Sequence, residues 1–405
     1  MTASQRPESS PPLVTLDIMR AMAAILVVLE HSRGLAFLTF TKLPIEQQTV
    51  LVKIAYLVAR LGQEAVTMFF VLSGYLVGGQ VIRRVRQGNF APRDFTIDRM
   101  TRILLPLVPA ALFAGLVGTL AKGAPLDPLQ IIGNAIGLNG ILVATLPYDS
   151  PLWSLPYEIW FYVIAGAGAA LCAGRGGAIA LIAIMAAMVV FCRLDAALIM
   201  IWMLGALVSA VELPRGRAML AALGLVVIVL GSAAIQSTRP SHAGIHAGAL
   251  TVDLARSIFA AGIALTLPWL TEARINRALA RHAMVARVAA FLAGMSYSLY
   301  LFHYPALNIL DRWFTPGPVS AAAFIHSLTA LAILFAFAAA MYWLFERNTD
   351  RVRRRLKAWL APAGRGGADP RADDASGAAH PGAERHDAPA LRGEREQVIM
   401  GRAEA

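Results

Sequence analysis

Arg20 and His31 stand eleven residues apart in the apolar run "LDIMRAMAAILVVLEH". On a helix that interval returns to within about 20° of one face and covers about 16 Å of axis, so both side chains project from the same side. An ionisable group at membrane depth costs about 2.5–3.5 kcal/mol on insertion scales and needs a partner or a task. For either residue alone the plainer reading is snorkelling of Arg20 and an interfacial position for His31. Two further segments change the balance. "PLWSLPYEIWFY" puts Glu158 among Trp153, Trp160, Phe161 and Tyr162, with Ser154 as the expected N-cap and Pro156 in the first turn. An acid near a helix N-terminus gains about 0.3–1 kcal/mol from the macrodipole, too little to offset that burial, so a partner is expected. "SYSLYLFHYP" supplies His303, with Tyr300 at i−3 and Pro305 just beyond. These distant segments place His31, Glu158 and His303 at similar depth. A histidine with a carboxylate can form a proton-handling pair in which the acid orients the ring.

Two more elements bear polar groups. Arg99 and Arg102, at i and i+3 in "RMTRILLP", project from one face and could grip phosphates at the membrane surface; ordinary positive-inside anchoring explains the spacing equally simply. Ser73 lies mid-run in "MFFVLSGYLVGG", where Gly74 and Gly78 are four apart. Small residues at that spacing allow close helix approach, so packing is the simpler role for this segment; no nucleophile elbow surrounds Ser73. Glu346 sits among Arg347 and Arg351 and reads as an ion-pairing residue. His242 and His246 lack acidic or cysteine companions, and no metal site is expected.

Positioning these residues falls to a membrane domain. Hydrophobic residues make up 57% of the chain and charged residues only 15%, and mean hydropathy is +0.60, which excludes an ordinary soluble globule. Apolar runs near the ~20 residues a spanning helix needs recur at 13–31, 64–82, 103–121, 153–173, 177–192, 195–211, 218–235, 248–270, 287–310 and 319–345. The fold class is therefore all-α, a polytopic integral membrane bundle of about ten transmembrane helices. The stretch 131–146 is shorter and interrupted by Gly133, Asn134, Gly137 and Asn139, and reads as re-entrant or interfacial.

The net charge of +11 would suggest nucleic acid in a soluble protein. Here the arginines cluster on alternate connections, at Arg83–Arg102, Arg215–Arg217, Arg274–Arg287 and Arg347–Lys357, as the positive-inside rule requires. No nucleic-acid partner is expected, and both termini are assigned to the cytoplasm. Asp17 and Arg20 argue against a cleaved signal peptide in the first run. Residues 1–12 and the tail from Ala361 have compositions that cannot bury a core and are expected to be disordered; the membrane domain occupies 13–350 and a basic, then disordered, tail 351–405. Cys172 and Cys192 are placed at opposite faces, too far apart to bridge.

Taken in order, "LDIMRAMAAILVVLEH", "MFFVLSGYLV", "RMTRILLP", "PLWSLPYEIWFY" and "SYSLYLFHYP" resemble the acyltransferase 3 family of membrane acyltransferases. The resemblance implies a bundle of about ten helices that moves an acyl group, commonly acetyl, from cytoplasmic acyl-coenzyme A to a sugar hydroxyl in a polysaccharide, lipopolysaccharide or other glycan. It implies that His31 is the catalytic histidine, with Arg20 beside it, that Arg99 and Arg102 bind acyl-coenzyme A, and that Glu158 is the acid following Trp-Ser-Leu. His303, Tyr300 and Ser73 complete the expected substrate-binding set. The resemblance further implies acyl-coenzyme A as donor with no metal, a glycan or glycolipid acceptor and membrane lipid as the other partners, and a bacterial inner membrane as the location. In this reading His31, oriented by Glu158 or His303, deprotonates the acceptor as it attacks the thioester, an acyl-histidine being the alternative. The rival from another class is a transporter of a lipid-linked glycan or small solute with the same groups as a proton relay.

Overall fold

The computed structural model describes residues 13–211, 215–238 and 251–360. The expected disordered segments and the His242/His246 pair lie outside the described residues.

Helices form wherever long apolar runs leave backbone groups no other partner. They are α1 (Val14–Ala36), α2 (Val50–Val58), α3 (Gly62–Ser73), α4 (Gly79–Arg86), α5 (Pro92–Lys122), α6 (Pro128–Ala135), α7 (Leu155–Cys172), α8 (Gly177–Phe191), α9 (Ala197–Ala210), α10 (Arg217–Thr238), α11 (Val252–Leu270), α12 (Ala273–Arg281), α13 (Ala283–Leu310), α14 (Ala321–Leu344) and α15 (Thr349–Trp359). No β-strand occurs among the described residues. Seven helical stretches among them are long and apolar enough to cross a membrane, with α8 and α9 apolar but shorter. Helix α1 has the length, at 23 residues, but carries Asp17, Arg20 and Glu30. The expected ten runs all correspond to helices; seven of them meet the requirement for a span by length and composition.

Several boundaries moved. The second run begins earlier than position 64, because α2 and α3 form a nearly continuous stretch from Val50. Helix α5 starts at Pro92, where the fixed φ of proline suits the first turn, so Arg99 and Arg102 lie two to three turns inside the helix. It ends at Gly123, whose φ of 69° is the left-handed C-cap that glycine tolerates. The interrupted stretch 131–146 holds only the end of the eight-residue α6, which starts at Pro128 with Asp127 capping the Gln130 N–H, and an irregular return, too short to span. The basic tail is helical at first: α15 folds back on α5, where Lys357 Nζ lies 2.7 Å from Asp98 Oδ1.

At the centre, α1 packs between α13, α14 and α3. The tightest crossing joins α3 to α9. A Cβ added at Gly74 would fall 1.9 Å from the Trp202 carbonyl oxygen, and one at Gly205 would fall 2.1 Å from that of Val71. The backbones touch because neither residue has a side chain, which is the use the Gly74 to Gly78 spacing suggested. At this crossing the second run widens into a π-helical turn over Gly74–Gly78. Gly205→Val is therefore expected to destabilise the bundle by about 1–3 kcal/mol or more through overpacking. Gly168→Ala, which meets nothing within 4 Å, serves as the neutral control in thermal unfolding of detergent-solubilised protein.

Candidate active site

The polar residues gather in two adjoining places: a cavity near mid-bundle, and a histidine pair just beyond its wall. Both rest on α1, whose shared face carries Arg20 towards the first and His31 towards the second.

The histidine pair has a definite geometry. Nδ1 of His31 lies 3.1 Å from Nε2 of His303, and the ring centroids are 5.2 Å apart. His303 is 1% exposed. Its own Nδ1 is 2.7 Å from the Tyr300 carbonyl and 3.1 Å from that of Leu299. Carbonyl oxygens only accept, so in the neutral pair His303 Nδ1–H must donate to them, and its Nε2 accepts from His31 Nδ1–H. That network assigns the lone pair of His31 to Nε2. Tyr304 holds the His31 ring edge-on at 5.2 Å. His303 thus orients His31, one of the two partners the sequence offered.

Glu158 is not the other. It lies in the cavity, where Tyr162 Oη–H donates to its Oε1 at 2.5 Å. The reason is a 3₁₀ stretch, Pro147–Ser154, broken at Asp149 by non-helical angles, which occupies the bundle before α7 begins. Ser154 consequently makes no cap bond; its hydroxyl pairs with Tyr300 Oη at 2.7 Å instead.

The cavity measures about 220 Å³ and is lined by Arg20, Ser73, Arg99, Arg102, Glu158 and Tyr162, with Phe69, Ser154 and Tyr300 among its apolar and hydroxyl walls. Arg99 and Arg102 share a face as their spacing implied, and both line this cavity, Arg102 remaining exposed. The Arg99 guanidinium lies 5.8 Å from the centre of the Tyr162 ring, and its Nε is buried without a hydrogen-bond partner. Arg20 Nη2 donates to Ser296 Oγ at 3.4 Å. Three guanidinium groups and one carboxylate line the cavity, with the Glu346 carboxylate acting on Arg20 and Arg102 from beside it; the planar guanidinium forks are suited to receive an anion.

Some residues escaped the sequence reading. Glu346 does not pair with Arg347 or Arg351. It accepts from Ser298 N–H at 3.0 Å and Ser298 Oγ–H at 2.7 Å, and its charge acts on Arg20. A 3₁₀ turn after α14, Glu346–Asn348, tucks the carboxylate inward, while Arg347 stacks on Trp343 and Arg351 bonds Asn348. Tyr162 could have been found as the i+4 neighbour of Glu158, and Tyr304 as the neighbour of His303. Ser73 meets Tyr162 and Trp202, and nothing in the sequence marked Trp202. Among the described residues no group of three or more His, Cys, Asp or Glu side chains could hold a metal ion, and Cys172 and Cys192 are free.

Fold and site define an all-α, polytopic integral membrane protein with an arginine-rich interior cavity beside an oriented histidine. The chain belongs to the acyltransferase 3 family: the family model, described as an acyltransferase domain, matches residues 13–346. It is a membrane acyltransferase, and the matched region runs from the start of α1 to Glu346, enclosing every site residue named above. No curated protein and no solved structure gave a match.

Proposed function

We propose that this acyltransferase moves a short acyl group, in the first instance acetyl, from acyl-coenzyme A to a sugar hydroxyl of a surface polysaccharide, lipopolysaccharide or other glycan. The chain would lie in a bacterial inner membrane with both termini in the cytoplasm. Arg99 and Arg102, approached from that side, would take anionic groups of the donor, and its thin arm would lead the thioester along the cavity to the wall made by Phe69, Ser154 and Tyr300. Arg20 and Glu158 would fix the arm there. The observation that carries this reading is one of adjacency: Tyr300 borders the arginine cavity and lies with its ring centroid 6.1 Å from that of His303, the residue that orients His31.

In the reaction His31 Nε2 would accept the proton of the acceptor hydroxyl as its oxygen attacks the thioester carbonyl. The carbon–sulfur bond then breaks, and the departing thiolate takes the proton from His31. General-base assistance of this type is worth about 10²–10⁴-fold.

The test is to supply labelled acetyl-coenzyme A to membranes containing the protein and to follow label into glycolipid and polysaccharide alongside thiol release. Equal amounts of transferred label and free coenzyme A are expected. Failure to form either product, with folded protein and acyl donors of several lengths, would remove the donor assignment.

A further inference from the structure

Glu158 has only one hydrogen-bond donor described above, yet that donor is the end of a longer chain. Trp202 Nε1–H donates to Ser73 Oγ at 3.1 Å. Ser73 Oγ lies 3.3 Å from Tyr162 Oη, and Tyr162 Oη–H donates to Glu158 Oε1 at 2.5 Å. The four groups come from α9, α3 and α7, so the chain joins three helices across the bundle.

Its direction is forced by chemistry. Indole N–H can only donate, and an ionised carboxylate can only accept. Each hydroxyl has a single proton. Tyr162 spends its proton on Glu158, so the Ser73 hydroxyl must donate to Tyr162, and Ser73 must receive the indole N–H. With the carboxylate ionised, no alternative arrangement satisfies all three contacts. Reversing any hydroxyl would face two donors or two lone pairs towards each other. From this we infer that Trp202 is a positioning residue of the active site: acting through Ser73 and Tyr162, it holds the Glu158 carboxylate in one orientation before the arginines.

The surrounding architecture is built to keep Trp202 in place. The glycines at the α3–α9 crossing bring its own carbonyl against Gly74, and the ring of Phe161 lies 5.6 Å from the indole at 30°. The π-helical turn starts at Gly74, directly after Ser73. Such turns shift the register of the residues around them. Ser73 accordingly serves neither as a nucleophile nor only as a small packing residue. Its hydroxyl links the Trp202 indole to Tyr162 on the acid-bearing α7, and replacing it by alanine breaks the chain in the middle.

The inference rests on the acyl-transfer reading for its kinetic consequences, so the experiment has two arms. In the first, acetyl transfer is measured for the full-length protein and for Trp202→Phe, Tyr162→Phe and the double variant. Phenylalanine keeps an aromatic ring against Phe161 but removes the N–H donor together with the part of the indole that packs at Gly78, so the double variant and not the single one separates the hydrogen bond from packing. Each single change is expected to lower kcat/KM for the donor about tenfold, the effect of one buried hydrogen bond at the carboxylate that fixes the donor's arm. Because the chain fails at its first broken link, the double variant is expected to lose about tenfold also, whereas independent packing effects would multiply to about a hundredfold. Multiplying losses, or full activity in Trp202→Phe, would overturn the inference.

The second arm needs no activity. In protein labelled with ¹⁵N-tryptophan, Trp202→Phe identifies one indole N–H resonance. That resonance is expected to move in Ser73→Ala, which removes its acceptor, and to move less in Tyr162→Phe, one link further along. An unmoved resonance in Ser73→Ala would overturn the hydrogen-bond chain even if the wild type transferred no acetyl group, and a moved one would preserve it while the donor assignment alone failed.

Discussion

His31→Asn is expected to reduce acyl transfer by about 10²–10⁴-fold while leaving the protein folded. Asparagine is chosen for a geometric reason. Its amide nitrogen occupies the region of His31 Nδ1 and can still donate to Nε2 of His303, so the buried histidine keeps its partner. What disappears is the nitrogen on the far side of the ring, the one with the lone pair. His303→Phe makes the reverse change: the base survives, but the hydrogen bond from His31 Nδ1–H to His303 Nε2 is lost. Loss of that one hydrogen bond is expected to cost about tenfold. The two variants together assign the roles, since a larger loss in His303→Phe than in His31→Asn would make His303 the base. Transfer is read by label incorporation, and folding by a monodisperse elution profile in detergent.

The order of these effects could be anticipated from sequence only in part. The eleven-residue interval put Arg20 and His31 on one helical face, because a helix repeats itself regardless of what surrounds it. The partner of His31 was harder to choose. Glu158 and His303 both fell near the right depth when depth was counted from the ends of apolar runs. The 3₁₀ stretch before α7 makes that count wrong, and nothing in "PYDSPLWS" announces how much of the bundle it occupies. Arg99 and Arg102 show the same failure in another form. Their common face was legible, but whether it met lipid headgroups or the protein interior depended on where α5 starts. With the helix beginning at Pro92 and not at 103, both arginines come to line the cavity, Arg99 half-buried and Arg102 exposed. Glu346 was assigned to its sequence neighbours, which is where a solvated acid would pair; a turn of three residues sends it to Ser298 instead. Trp202 is the extreme case. An indole in an apolar run carries no mark of its function, and only the meeting of α9 with α3 discloses its hydrogen bond.

Replacing Arg99 by methionine is expected to raise the KM for acyl-coenzyme A about 10–100-fold with a smaller change in kcat. Hydrogen bonds to charged groups contribute about 1.5–3 kcal/mol, and each 1.4 kcal/mol is a factor of ten. Methionine retains most of the apolar stem, so the loss reports the guanidinium, whose carbon lies 5.8 Å from the centre of the Tyr162 ring and 6.0 Å from that of Phe95. Lysine should rescue incompletely, since it restores the charge without the planar fork that grips two anionic oxygens at once. The buried, unpartnered Nε of Arg99 sharpens the expectation, because a donor desolvated in advance gives up little water when an anion arrives. Arg102 faces the same cavity more openly and within reach of Glu346, so Arg102→Met is expected to affect donor binding less and to weaken the internal balance of charge more. If Arg99→Met instead lowered kcat at constant KM, the guanidinium would be acting on the reacting carbonyl and not on the donor's phosphates, and the thioester would have to lie nearer the middle of the cavity than the wall at Tyr300.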